Sequence, residues 1–127
     1  MAHRSRLAGF IIDCQDTPAD AAAAFWSAAL GYRAQPAYRE DGAEYADLEG
    51  APAGLNVEVQ RVAHASRVHL DIESDDIDAE ADRLEKLGAR RIGFVKRWWV
   101  MEAPTGHRFC IVRMPDDDRH AVANTWE

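Results

Sequence analysis

The sequence predicts an α+β fold in which two βαβββ modules form one eight-stranded, cup-shaped sheet. Residues 67–73 alternate polar and apolar side chains, as in a strand with one face in a core and the other in water or a site. The turn Ser74-Asp75-Asp76 follows, and then a helical pattern that ends at Leu87-Gly88. The same order of strand, turn, helix and Leu-Gly occurs over residues 9–31, so one supersecondary unit is present twice.

The first module is predicted over about residues 6–62. A strand over residues 7–14 leads to a helix with Thr17 as its N-cap and Pro18 as its first residue. Apolar residues recur at helical spacing up to Leu30, and Gly31 suits the C-terminal cap. Three short strands are then expected, near residues 32–35, 44–48 and 55–60.

The second module is predicted over about residues 66–114, and the whole chain, residues 1–127, is expected to be one domain. Its first strand leads to a helix over about 77–87. Strands are then expected near residues 89–95, 98–102 and 108–113. The tail over 115–127 looks solvated, including the run Asp116–Asp118, although Trp126 suggests that its end docks on the domain.

Composition narrows the class of protein. The chain has 127 residues, 47% of them apolar, and a net charge of −7. The acidic balance argues against nucleic acid and anionic membrane surfaces as partners. No apolar run is nearly as long as a membrane helix, which needs about 20 residues. Two distant cysteines, Cys14 and Cys110, are expected to lie on opposite faces of the sheet without a bridge, so a cytoplasmic, reduced protein is expected.

The strand face away from the helices should carry the functional side chains. Alternation puts apolar residues of each strand toward its helix and leaves polar residues for the other face, which is unusual for a face that serves only for packing. The predicted ligand-binding residues are Arg67, Asp71, Asn56, Arg108, Cys110, Trp98 and Trp99.

The pattern allows two interpretations of the role of several of these residues. Arg67 and Arg108 could hold a carboxylate or phosphate of a ligand, or could neutralise Glu58, Asp13 and Asp71. Trp98 and Trp99 point to opposite faces of their strand, so at most one is core. The other could stack on a planar ligand or cover a dimer contact.

Three segments resemble the vicinal oxygen chelate superfamily of glyoxalases, extradiol dioxygenases and bleomycin-resistance proteins. They are His69-Leu-Asp-Ile with Asp76 seven residues on, Arg83-Leu-Glu-Lys-Leu-Gly-Ala89, and Ala103-Pro-Thr-Gly-His-Arg-Phe-Cys110. The likeness runs from Leu7 to about Met114. It implies the cup-shaped fold, a small-molecule ligand and a homodimer, in which modules pair within one chain or between two.

The resemblance also implies positions for a metal. Metal-binding members place ligands at positions that correspond here to Gly9, Glu58, His69 and Cys110. Gly9 has no side chain to offer, and Cys110 stands where the family usually has glutamate. The expected metal residues are therefore His69, Glu58 and Cys110, for a divalent ion such as Zn, Ni, Mn or Fe.

Two functions remain open at this point. In the first, the cup binds a small molecule without chemistry, as resistance-type relatives do, and has no complete metal site. In the second, the protein is a lyase, isomerase or dioxygenase-like enzyme with His69 and Glu58 as catalytic residues, with or without metal. A partner-binding module without a ligand is the third and least attractive reading.

Overall fold

A computed structural model describes residues 2–117 and 121–127; Asp118, part of the predicted solvated run, lies outside these ranges. The described residues form two helices, ten strands and a short 3₁₀ turn, Pro52–Gly54. Neither helix is long and apolar enough to cross a membrane. In chain order the elements are β1 His3–Gln15, α1 Ala19–Leu30, β2 Arg33–Ala34, β3 Tyr38–Glu40, β4 Ala43–Glu49, β5 Asn56–Val62, β6 Arg67–Ser74, α2 Ile77–Lys86, β7 Arg90–Val95, β8 Trp98–Glu102, β9 Arg108–Arg113 and β10 Asn124–Trp126.

The predicted fold class is confirmed. All eight predicted strands and both helices are present in the βαβββ order, and two short strands, β3 and β10, are added to them. The chain forms two compact units. One is Gly9–His69, and the other is Leu70–Glu127 together with the chain up to Ala8, so the divisions fall inside β1 and β6.

In the Gly9–His69 unit, β5 is the central strand. It pairs in parallel with β1, from Gly9 opposite Asn56 to Gln15 opposite Val62, and antiparallel with β4. Helix α1 covers one face, where its alanines pack against apolar side chains of the three strands. This core consists of Cys14, Ala19, Ala22, Ala23, Ala46, Leu48, Val57 and Val59.

The start of α1 differs from the prediction. The N-cap position is Pro18 and the helix begins at Ala19, without a side-chain cap. The Thr17 hydroxyl instead donates to the carbonyl of Gln15 at 2.9 Å, a local bond that competes with capping. The other end is as expected, because Gly31 adopts the left-handed conformation of a C-terminal cap.

In the Leu70–Glu127 unit, β6 pairs in parallel with β9, and β8 pairs antiparallel with β9 and β7. Asp76 caps α2 by accepting from the amide of Ala79 at 3.0 Å. The helix packs through a core of Ile77, Ala81, Met101, Phe109 and Ile111. Strand β10 pairs with the start of β1, with Trp126 opposite His3, so the end of the tail docks as Trp126 suggested.

Candidate functional site

The face of the Gly9–His69 sheet opposite α1 carries the polar side chains. Since Cys14, Val57 and Val59 pack toward α1, their neighbours along each strand point the other way. Register aligns these neighbours in rows across the strands, because Ile11 lies opposite Glu58 and Glu58 opposite Asp47, while Asp13 lies opposite Gln60 and Gln60 opposite Tyr45. We call this surface the open face.

A buried carboxylate on the open face holds His69. Asp13 is only 2% exposed, and its Oδ2 lies 2.8 Å from Nδ1 of His69 and 3.8 Å from Nε of Arg67. An ionised carboxylate only accepts hydrogen bonds, so Nδ1 carries the proton. In the neutral imidazole, Nε2 therefore holds the lone pair, which is the form that accepts a proton or binds a metal.

The carboxylate that orients His69 was missed as a site residue. Alternation placed Asp13 on the correct face, but its partner lies 56 residues away. Its charge also acts on its neighbour, because burial first and the Asp13 carboxylate second raise the pKa of Cys14. The other oxygen of Asp13, Oδ1, is buried and has no hydrogen-bond partner within residues 2–117 and 121–127. The open face thus retains one unsatisfied acceptor.

Glu58 lies among polar and aromatic groups of the open face. Asn56 Nδ2 donates to its Oε1 and the Tyr38 hydroxyl donates to its Oε2, each at 3.3 Å. Tyr38 also stacks on Tyr45, with ring centroids 5.5 Å apart. Burial, and then the negative charge of Glu58, raise the pKa of Tyr38. The tyrosine therefore stays a neutral donor to the carboxylate.

The first metal position of the family cannot carry a ligand here. Gly9 lies opposite Asn56 on the parallel strand β5. A Cβ built on Gly9 would stand 1.7 Å from the Asn56 carbonyl oxygen, far inside any real contact. The close approach of the two strands therefore requires glycine, and the family's four-ligand set does not fit this chain.

Asp71 and Cys110 are the other candidate ligand residues. They are direct cross-strand partners on β6 and β9 and offer ligand atoms within 4.8 Å of each other. His69 precedes Asp71 by two residues and so shares its side of the strand. Asp71 and Cys110 therefore form a candidate pair of metal ligands in the Leu70–Glu127 unit, whereas His69 and Glu58 belong to the Gly9–His69 unit. A carboxylate and a thiolate can each bind zinc or ferrous iron.

The remaining predicted site residues lie on β8 and β9. Nε of Arg108 bonds Glu102 at 3.2 Å, and Arg90 bonds the same carboxylate at 2.7 Å. The hydrogen bonds from Arg90 and Arg108 lower the pKa of Glu102. Arg108 therefore does neutralise an acid, although this acid is Glu102 and not one of the three predicted from the sequence.

The two tryptophans take opposite sides of β8, as predicted. Trp99 packs against the α2 core, and its Nε1 donates to Asp78 at 2.9 Å. Trp98 is on the other side, which it shares with Val100, and Val100 lies opposite Cys110. Asp71, Cys110 and Trp98 thus lie on one face of the Leu70–Glu127 sheet, and Trp99 packs on the opposite face against α2.

Comparisons with solved structures show the fold. Methylmalonyl-CoA epimerase from Mycobacterium tuberculosis superposes with a TM-score of 0.64 at 18% identity, over 91% of each chain. A methylmalonyl-CoA epimerase in complex with methylmalonyl-CoA and NH4+ has a TM-score of 0.65 at 18% identity, over 89% of this chain and 96% of the other. A Streptomyces coelicolor epimerase variant in complex with 2-nitronate-propionyl-CoA gives 0.61 at 18% identity, over 85% and 96%.

Sequence comparisons identify the family. A search of curated proteins found no match. The family model of the glyoxalase-like domain matches residues 9–112, which is most of the chain and spans both βαβββ modules. This protein therefore belongs to the glyoxalase-like domain family.

Proposed function

We propose that this protein binds a small molecule on the open face, with His69 as its central polar contact. The observation that carries the proposal is the hydrogen bond between the buried Asp13 carboxylate and Nδ1 of His69. Burying a carboxylate is costly unless its partners compensate. A pair of this kind fixes one imidazole tautomer, and a fixed tautomer serves recognition or catalysis.

The composition of the open face supports the same proposal. A face that only packed would be apolar, whereas this one carries Asp13, Asp47, Glu58, Gln60 and His69, buried or half-buried. Small-molecule sites combine apolar walls with a few convergent polar groups. Ile11, which is 3% exposed, and the Tyr38–Tyr45 stack supply the apolar and aromatic part.

Proton transfer by His69 is the second candidate function. The Asp13–His69 bond favours it, because an imidazole held by a carboxylate is a competent general base. The solved epimerases bind methylmalonyl-CoA or a nitronate analogue. Epimerisation beside a thioester carbonyl needs a proton removed and returned. In this chain His69 would move one proton and Glu58 would be the second acid–base group, without a step that depends on a metal.

The binding proposal is tested by ligand-observed NMR with a fragment library of anionic, neutral and cationic compounds. Wild-type protein is compared with His69→Ala and with the control His107→Ala, since His107 lies in the exposed turn before β9. We expect fragments whose signals broaden with wild type and the control but not with His69→Ala. Fragments that bind all three proteins equally, or none that bind, would contradict the proposal.

The catalytic candidate is tested with methylmalonyl-CoA in D₂O, following loss of the α-proton signal by NMR. Catalysed exchange that is abolished in His69→Gln and reduced in Asp13→Asn would support it. No exchange above the buffer rate would reject proton transfer on this substrate and leave binding as the function.

A further inference from the structure

One row of the open face joins a charged end to an aromatic end. Tyr45, Gln60 and Asp13 are aligned across β4, β5 and β1 by strand register. Tyr38 stacks on Tyr45 at one end of this row, and we call the two rings the tyrosine stack. At the other end, Nε of Arg67 lies 3.8 Å from Oδ2 of Asp13. Neighbouring strands are about 5 Å apart, so a small molecule about 10 Å long spans the row.

Arg67 offers hydrogen-bond donors at the charged end. Its side chain is 48% exposed, and its 3.8 Å separation from Asp13 is too long for a hydrogen bond. Asp13 takes its hydrogen bond from His69 instead, at 2.8 Å. Within residues 2–117 and 121–127, the one hydrogen bond of the Arg67 side chain goes from Nη2 to Nε2 of His64, at 3.4 Å. Most N–H groups of the guanidinium therefore remain for a ligand, in a fork that matches a carboxylate.

Arg67 is held in position by its neighbours in the absence of a ligand. The carbonyl of Ala65 only accepts, so Nδ1 of His64, 2.8 Å away, donates to it, and Nε2 of His64 is the acceptor for Arg67. The loop that carries His64 is joined to β1, because the amide of Gln15 donates to Oγ of Ser66 at 2.9 Å. A side chain that is already oriented loses less conformational entropy when it binds.

Gln60 offers a hydrogen-bonding amide at the middle of the row. The residue is half-buried, and no hydrogen bond to its carboxamide is formed by any residue in the part of the chain that the structure describes. Polar groups removed from bulk water usually have a partner, and a carboxamide both donates and accepts. An amide or carbonyl group of a ligand above β5 supplies that partner.

Tyr38 presents a ring at the aromatic end. It is 39% exposed, and its centroid lies 5.5 Å from that of Tyr45 at an interplanar angle of 24°. Its hydroxyl donates to Glu58 at 3.3 Å, which restricts the orientation of the ring. A partly exposed tyrosine ring in a defined orientation favours stacking of a flat ring from a ligand.

We propose that the open face binds an aromatic carboxylate with a central amide or carbonyl group, its carboxylate on Arg67, its central group on Gln60 and its ring on the tyrosine stack. This inference rests on the proposed binding function and names the class of its ligand. One guanidinium balances one carboxylate charge. The acids of the neighbouring row, Asp47 and Glu58, disfavour a ligand with more than one negative charge. A cationic ligand would meet Arg67 with like charge.

The test is an NMR titration of ¹⁵N-labelled wild-type protein with three probes. Hippurate has the ring, the amide and the carboxylate. Hippuramide lacks the charge, and N-acetylglycine lacks the ring. We expect hippurate to bind about tenfold more tightly than either of the others and to shift the backbone amide signals of Gln60 and Arg67.

Two variants separate the contributions of the two ends. Arg67→Gln should remove the preference for hippurate over hippuramide and keep the preference over N-acetylglycine, and Tyr38→Leu should do the reverse. Arg61→Gln is the matched control for charge, because residue 61 lies next to Gln60 but on the opposite side of β5, with Cys14. Phe25→Leu, at a ring on α1 that is 63% exposed, is the matched control for aromaticity. Both controls should bind hippurate like wild type.

A thermal melt of each variant distinguishes loss of binding from loss of fold. Hippurate should raise the melting temperature of wild type and of both controls more than that of Arg67→Gln or Tyr38→Leu. If Arg67→Gln does not fold, Arg67→Lys replaces it, since lysine keeps the charge without the guanidinium fork and should bind hippurate more weakly than wild type. Hippurate binding that is unchanged in the folded variant of Arg67 would overturn the assignment.

Each other outcome also decides the inference. Equal binding of hippurate and hippuramide would make the carboxylate class wrong, and equal binding of hippurate and N-acetylglycine would make the aromatic class wrong. Hippurate shifts that leave Gln60 and Arg67 unchanged would place the probe elsewhere and contradict the proposal. If none of the three probes binds, the inference is wrong, and the fragment comparison with His69→Ala decides the proposed function separately.

Discussion

Oδ2 of Asp13 lies 2.8 Å from Nδ1 of His69, although 56 residues separate them in the chain. The bond joins β1 to the first part of β6 within the Gly9–His69 unit. It gives His69 a defined tautomer and gives a buried carboxylate its principal partner. The proposed function depends on this relationship more than on any other.

Gly9 is required by the close approach of β1 and β5. Gly9→Ala would place a methyl group 1.7 Å from the Asn56 carbonyl oxygen, so the strands must separate. We expect a loss of about 3 kcal/mol in the free energy of unfolding, measured by urea denaturation. Gly93→Ala is the control, since its Cβ would meet nothing within 4 Å. Equal stability of the two variants would show that β1 and β5 tolerate a side chain at residue 9.

Glu80 should make stability depend on pH in the acid range. Its side chain is fully buried and bonds His3 and Arg83 at 2.8 Å each. Burial by itself raises the pKa of Glu80, but hydrogen bonds from Arg83, His3 and Ser5 outweigh burial and lower this pKa below its ordinary value of 4.5. A carboxyl with a lower pKa in the folded state stabilises the fold above its unfolded pKa, and the stabilisation is lost as pH falls through the folded value.

The stability advantage of wild type over Glu80→Gln should therefore shrink as the pH falls below 4.5. Urea denaturation of both proteins from about pH 6 to pH 3 measures it. Glu85→Gln, on the same helix but 42% exposed, should differ little from wild type throughout. An advantage over Glu80→Gln that stays constant with pH would contradict the assigned network.

Trp126 packs β10 against the rest of the Leu70–Glu127 unit. The Arg83 guanidinium lies 3.9 Å from the centroid of its ring, and its Nε1 donates to Ser5 Oγ at 2.8 Å. Trp126→Ala should lower the free energy of unfolding by about 2 kcal/mol. Val122→Ala, at a position 68% exposed, is the control. If the two variants melt at the same temperature, the docking of β10 does not contribute to stability.

Trp98 and Trp99 should differ in their effect on stability. Trp99 packs on the α2 core, bonds Asp78 and contacts Phe94 edge to face at 5.0 Å. Trp99→Ala should cost about 3 kcal/mol, as large-to-small changes in packed sites do. Trp98 has the opposite orientation and a cation contact from Lys96 at 5.6 Å. Urea denaturation should therefore show a smaller loss for Trp98→Ala, and the reverse order would contradict the assignment of faces.

Local sequence patterns were sufficient for most of the fold. Alternation located β6, and the turn Ser74-Asp75-Asp76 and Gly31 marked where α2 begins and α1 ends, because these signals act within a few residues. Strand β3 has only three residues, Tyr38–Glu40, without an apolar alternation, and so gave no signal. Thr17 gave a false signal for the start of α1, since its hydroxyl donates to the carbonyl of Gln15 and does not cap the helix.

The candidate site could be predicted only in part. Strand period places Asp13, Glu58 and His69 on faces, but which of them meet depends on register between strands distant in sequence. From the sequence, Asp13 is therefore indicated only as a charge to be neutralised, and nothing singles out Asp47. The homodimer and the cytoplasmic location stay predictions.

The effect of Asp13 on His69 is tested by a long-range ¹H–¹⁵N NMR spectrum of the His69 imidazole, at a pH where the ring is neutral, in wild type and in Asp13→Asn. The Asp13 bond predicts a proton on Nδ1 in wild type and a changed tautomer ratio in the variant. A fragment that binds the open face should then shift the Nε2 resonance. A proton on Nε2 in wild type, unchanged in Asp13→Asn, would show that Asp13 does not set the tautomer of His69.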